Sequence, residues 1–160
     1  MKKLISLGLA LACVFTLAGC NNTKQEETST YSFRGKNEYF TISNGSIVLS
    51  DTEEVFDGGN LSVIKTDVFD GVAAYSATFY TMEDGVQRTL MSNSVVDHTG
   101  GSIHIEEDLG RISGDGIIVG GKVENVDELR ENLWFELKTA DLSGKENAYQ
   151  IQLTLTEVTN

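Results

Sequence analysis

The chain reads as an all-β protein, an antiparallel β-sandwich with a β-barrel as the nearest alternative. Three features predict it. From Tyr31 onward apolar residues recur at every second position rather than at helical spacing. Asn44-Gly45 and the Asp-Gly pairs at 57–58, 70–71, 84–85 and 115–116 punctuate that pattern with residues that tolerate the positive φ of tight turns. Only Asp127–Asn132 (DELREN) has helical character, and it spans at most two turns. Many short strands, frequent turns and one short helix near 127–132 are the composition of a two-layer β fold.

The elements follow in order. Residues 31–35 form the first strand. A two-residue loop at Asn44-Gly45 would set Phe40 opposite Leu49 and Ile42 opposite Ile47, with all four apolar side chains on one face. Further strands are expected at 61–69, 73–82, 87–96, 102–106 and 111–120. The Asp84-Gly85 turn would place Phe79 opposite Leu90. Leu133, Phe135 and Leu137 alternate with Trp134, Glu136 and Lys138. Tyr149, Ile151, Leu153 and Leu155 alternate with Gln150, Gln152, Thr154 and Thr156. With the turn-rich Asp141–Glu146 between them, these two runs read as a hairpin.

The 160 residues carry 12 Lys+Arg against 24 Asp+Glu, a formal net charge of −12. Such an acidic balance argues against a nucleic-acid binder, which needs a cationic face to meet phosphate. Two Cys exclude a disulfide-rich framework, and Pro is absent.

The N-terminus is the most specific part of the sequence. Lys2 and Lys3 precede a 15-residue apolar run, Leu4 to Ala18, which ends in Leu17-Ala18-Gly19-Cys20. A positive start, an apolar stretch below the roughly 20 residues of a membrane span, and small residues before the cut describe a secretory signal. Residues 1–20 resemble the signal of bacterial lipoproteins, whose lipobox reads Leu-Ala-Gly-Cys. The resemblance implies a diacylglycerol on the Cys20 thiol, cleavage after Gly19, and a mature protein held on the extracytoplasmic face of the cell membrane. Two acyl chains bury about 30 methylenes, on the order of 20 kcal/mol of anchoring. The run Tyr31–Phe40 (YSFRGKNEYF) followed by Ile42-Ser43-Asn44-Gly45 is similar to the opening of small lipoproteins of low-GC Gram-positive bacteria, which implies a source type and a β-rich fold but no chemistry.

Cleavage would leave 141 residues and remove Lys2 and Lys3, so that 10 cations face 24 acids, a balance of −14. On this reading Cys13 would depart with the signal (residues 1–19), and Cys20 would carry the lipid. That would exclude thiol catalysis, a Cys metal site and an internal disulfide in the mature chain. Residues 20–30 hold the lipidated Cys and a wholly polar tether, Asn21–Thr30, with a coil dimension of roughly 17 Å and a reach of about 35 Å. A single domain, 31–160, follows and stays close to the membrane.

Chemistry-bearing motifs are sparse. His98 and His104 fit no zinc spacing, although Glu106 would share a strand face with His104. Ser113 sits in a Gly-rich run, but no Gly-x-Ser-x-Gly elbow is present. Gly114-x-Gly116 is followed by the apolar Ile117, Ile118 and Val119 rather than by a helix, which rules out a dinucleotide loop. Asp51, Glu53, Glu54 and Asp57 fall in one expected loop, and Glu106, Glu107 and Asp108 in another. Such oxygen clusters are the weak candidates for Ca²⁺, with a solvated acidic surface the favoured reading. Trp134 lies on the strand face opposite Leu133, Phe135 and Leu137. If uncovered, it is the candidate binding surface for a sugar or a protein, since an exposed Trp is a frequent interface anchor; the favoured alternative is that the short helix 127–132 or a loop covers it.

The expectation is therefore a lipid-anchored, non-catalytic binding or accessory module. It would have no cofactor beyond the covalent diacylglycerol, and its partners would be the membrane and an envelope protein or wall glycan. A Ca²⁺-stabilised adhesion-type domain and an envelope-acting hydrolase are the alternatives. Cys20→Ala is expected to yield an unlipidated precursor; mass spectrometry showing the parental lipid mass on the variant would refute the anchor.

Overall fold

The computed structural model describes residues 28–97, 99, 103–105, 108–119 and 125–158. Among these, ten strands form two antiparallel sheets packed face to face. The larger sheet contains β1 (Ser29–Lys36), β2 (Phe40–Leu49), β3 (Glu54–Asp57), β4 (Asn60–Val63), β7 (Arg111–Gly114) and β10 (Thr154–Glu157). Its order is β10-β1-β2-β3-β7, with β4 also on β2. The smaller sheet runs β6-β5-β8-β9, from β5 (Val72–Glu83), β6 (Val86–Val96), β8 (Leu133–Asp141) and β9 (Glu146–Gln152). The expected all-β, sandwich-like fold is the one observed.

The core is a chain of rings between the sheets. Phe33 and Phe56 from the larger sheet meet Phe79 from the smaller one, with centroids 5.6 and 5.1 Å away. Phe79 contacts Phe135 at 4.9 Å, and Phe135 contacts Phe40 at 5.6 Å. These separations and their tilted or edge-on angles are the favoured aromatic geometries. All five rings are fully buried.

Asn44-Gly45 does not turn the chain. β2 runs straight through it, and the pair forms a bulge: Phe33 faces Gly45, but Gly35 faces Ile42. Asn44 has the expected positive φ, 58°, and spends it on the bulge. Ile42 and Ile47, an odd number of residues apart, both face inward because the bulge shifts the strand's phase by one. A two-residue hairpin would satisfy the same one-face criterion, which is why the pattern fits both geometries. Opposite the bulge, β3 and β4 lie end to end along β2, joined by Gly58-Gly59. A Cβ on Gly45 would overlap the Phe33 ring, and one on Gly59 would overlap the β2 backbone.

Other expectations shift for similar reasons. The Asp84-Gly85 hairpin forms, with φ of 50° and 79°, but a bulge at Leu90 sets Met91 opposite Phe79. The expected 61–69 strand ends at Val63 and gives way to a 3-10 turn, Thr66–Phe69, whose Phe69 is buried. The 111–120 strand ends at Gly114, before the positive φ of Gly116. Residues 103–105 of the expected 102–106 strand are irregular, tied down by the Ile103 N–H to Val72 carbonyl bond of 2.8 Å and by buried Ile105. β1 begins at Ser29, so Ser29 and Thr30 pair with β2 instead of belonging to the tether.

The C-terminal hairpin is present, with Phe135 opposite Ile151 and Leu137 opposite Tyr149. Its turn is fixed by Asp141, whose Oδ1 accepts from the Ser143 N–H and hydroxyl and from the Lys145 N–H. The Ser143 hydroxyl bond leads in holding the Asp141 carboxyl below its ordinary pKa. The 149–155 run is divided, however. After Gln152 the chain passes from the smaller to the larger sheet, where β10 pairs with β1. Inward alternation continues through Ile151, Leu153 and Leu155, so the crossing leaves no mark on the hydrophobic period. The single described α-helix, α1 (Val126–Asn132), is capped by the Asn125 side chain, buries Leu129, and packs on β5, β8 and β10.

Gly45→Ala is expected to cost about 1–3 kcal/mol, the usual range for overpacking a core. An unchanged denaturation midpoint in urea would show that the Phe33 ring does not need the bare backbone of Gly45.

Candidate functional site

The outward face of the smaller sheet is built by the alternation of β8. Leu133, Phe135 and Leu137 are fully buried, which turns Trp134, Glu136 and Lys138 to the other side. Antiparallel pairing then fixes their neighbours. Trp134 lies between Tyr80 of β5 and Gln152 of β9, Glu136 between Thr78 and Gln150, and Lys138 between Ser76 and Ala148.

Trp134, near the start of β8, is half-buried. Tyr80 beside it is 3% exposed. Burial, and secondarily the charge of Glu136, pushes the Tyr80 phenol above its ordinary pKa; it stays a neutral hydrogen-bonding group at physiological pH. Glu136 is 6% exposed. It accepts from the Gln150 amide at 2.6 Å and pairs with the Lys138 ammonium at 3.0 Å, charge-assisted contacts that hold its position. Gln152 donates to the Glu131 carbonyl at 2.5 Å, and the Thr78 and Ser92 hydroxyls meet at 2.9 Å. The uncovered part of the Trp134 ring, with the exposed Gln152, Gln150 and Lys138 on the same face, can stack a flat or apolar group and hydrogen-bond its edges. This arrangement uses the one Trp that the sequence singled out. Tyr80, Glu136 and Gln150 were not separable from ordinary strand residues, because their proximity comes from cross-strand pairing.

The acidic candidates do not converge. Asp51 and Glu53 are exposed in the turn before β3, whereas Glu54–Asp57 is β3 itself and not a loop. Glu54 is buried, and its carboxyl oxygens accept from the backbone N–H groups of Ile118, at 2.6 Å, and Val119, at 3.2 Å. Asp57 accepts from the Gly59 N–H at 2.9 Å. Asp108 closes its own turn onto Gly110. Among the described residues no three His, Cys, Asp or Glu side chains are grouped to hold a metal. Glu106 and Glu107 lie outside the described residues, as do Gly19, Cys20 and His98.

His104 is exposed and lines a cleft with Thr66, Asp70, Phe69, Ile103 and Ile105. Imidazole, carboxyl and hydroxyl groups thus share one concavity. No hydrogen bond or ion pair involving His104 connects them among the described residues. Ser113 stands exposed on β7, opposite Val55.

Comparison of the chain with protein-family models, with curated proteins and with solved structures returned no match.

Because Glu54 satisfies two backbone donors, Glu54→Ala is expected to lower stability by about 2 kcal/mol in chemical denaturation. Added Ca²⁺ is expected to leave the melting midpoint of the parent unchanged; a rise that Glu54→Ala abolished would restore Glu54 as a cation ligand.

Proposed function

We propose that the chain is a membrane-tethered, extracytoplasmic binding module without catalytic activity, which docks an envelope protein or a wall glycan on the outward face of its smaller sheet. The observation that carries the reading is Trp134, half-buried beside Tyr80 on a face that alternation turns away from the core. A side chain in that position keeps ring surface for a partner while its neighbours fix its orientation. Trp is among the residues most often found to dominate binding energy at such surfaces. The exposed Gln150 and Lys138, both held by buried Glu136, supply directional contacts without offering an activated nucleophile or a general acid–base pair. The lipobox resemblance supplies the anchor, and the short polar tether keeps the docking face near the bilayer.

The chain has one Trp, so its fluorescence reports this face alone. Titration with solubilised wall glycan, or crosslinking in native membranes followed by mass spectrometry, is expected to find a ligand that shifts the Trp134 emission. Trp134→Ala is expected to weaken its capture by about 2 kcal/mol or more, roughly thirtyfold, without loss of β-sheet circular dichroism. Undiminished capture by the variant would refute this surface as the docking site.

A further inference from the structure

The β2 bulge also shapes the outer side of the larger sheet. A groove there, separate from the Trp134 face, is lined by Ser32, Arg34, Ser43, Asn44, Thr154 and Thr156. Ser32 pairs opposite Thr156 and Arg34 opposite Thr154. All four point outward because Tyr31, Phe33, Leu153 and Leu155 take the inward positions. Lys36, two residues beyond Arg34 on the same face, is exposed.

Its charge sets this face apart. The chain holds 24 acidic residues, yet β1, β2 and β4 contain none. β10 contains one, Glu157, which takes the inward phase of its strand, opposite Tyr31, and pairs with Arg130 at 2.7 Å. Lys65, Arg88, Arg130 and Lys138 are each engaged by a carboxylate. Arg34 and Lys36 have no ion pair or hydrogen-bond partner for their side chains among the described residues. Two free cations beside a row of hydroxyls, on a sheet face where Asp57 of β3, opposite Ser46, is the one carboxylate among the outward strand residues, are complementary to a ligand that alternates negative charge with hydroxyl groups.

We propose that this groove binds a phosphodiester-linked polyol chain. Arg34 grips one phosphate through its planar fork, and Lys36 meets the next as a point charge. The two residues are roughly 7 Å apart along the strand, a separation that two phosphates joined by a three-carbon linker also span. Ser32, Ser43, Thr154 and Thr156 exchange hydrogen bonds with the polyol hydroxyls, as does the Asn44 amide. The groove has no exposed ring on which a base would stack, which disfavours nucleic acid. Its concave shape and the strongly negative remainder of the domain disfavour a flat anionic bilayer.

The test is calorimetric titration of the full chain in detergent with a synthetic glycerol-phosphate octamer. Neutral dextran of similar size and the single-phosphate headgroup glycerophosphoglycerol form parallel arms. The octamer is expected to bind, with log K falling against log salt at a slope near −1.4 for two contacts. Arg34→Gln is expected to weaken binding by about tenfold and to roughly halve that slope. Lys145→Gln, an equal charge change in the β8–β9 turn, is expected to leave binding unaltered. Equal binding of dextran, equal binding of the single headgroup, or an equal loss in Lys145→Gln would each overturn the proposal. Trp134→Ala belongs to the other sheet and is expected to bind the octamer as the parent does, so this groove and the Trp134 surface stand or fall separately.

Discussion

The Phe33 ring lies against the bare backbone of Gly45, and the sandwich is organised around that contact. Phe33 reaches the intersheet layer, where Phe56 and Phe79 meet it, only because no side chain occupies position 45. Gly45 faces Phe33 only because the preceding Asn44 adopts a positive φ and moves the strand forward by one residue. The same displacement needs a partner that can follow it. Gly58-Gly59 supplies one: Gly58 packs against Phe79, Met91 and Leu109, and Gly59 comes against the β2 backbone. A side chain at any of these glycines would push apart layers that close packing holds together.

The other organising device is the crossing of the last strand pair. The Leu153 N–H still bonds to Leu133 in the smaller sheet, while the next residue, Thr154, pairs with Arg34 in the larger one. Two sheets sharing a continuous strand cannot slide independently, and α1 packs beside the junction with Leu129 in the core. Gly35 permits the close approach there, since a Cβ would come within 2.7 Å of the Leu153 side chain. The consequence for function is geometric. Two chemically different outward faces, one aromatic and amide-rich, the other hydroxyl-rich and cationic, are held at fixed positions on opposite layers.

Much of the candidate site was legible one strand at a time. Alternation in β8 alone put Trp134, Glu136 and Lys138 together and opposite the core residues, and the structure keeps that division. Alternation does not say which strand lies beside β8, so Tyr80 and Gln150 could not be named from it. Glu54 illustrates the opposite case. By sequence it belongs with Asp51, Glu53 and Asp57 as one of four loop carboxylates. In the folded chain it turns inward to satisfy two N–H groups more than 60 residues away. A buried backbone donor needs an acceptor from somewhere, and only the arrangement of distant segments decides which side chain supplies it.

Local features were legible in the residues alone: period-two burial, the positions able to adopt positive φ, and a short helix near 127–132. Each depends on one residue's backbone preference or on the spacing of a few neighbours. The tertiary structure decided how those capacities were used. It made Asn44-Gly45 a bulge instead of a turn, set Met91 rather than Leu90 opposite Phe79, and moved the chain between sheets at Leu153. In each case two geometries satisfy the same local pattern. The choice between them rests on which one lets strands far apart in sequence close over a common core of aromatic rings.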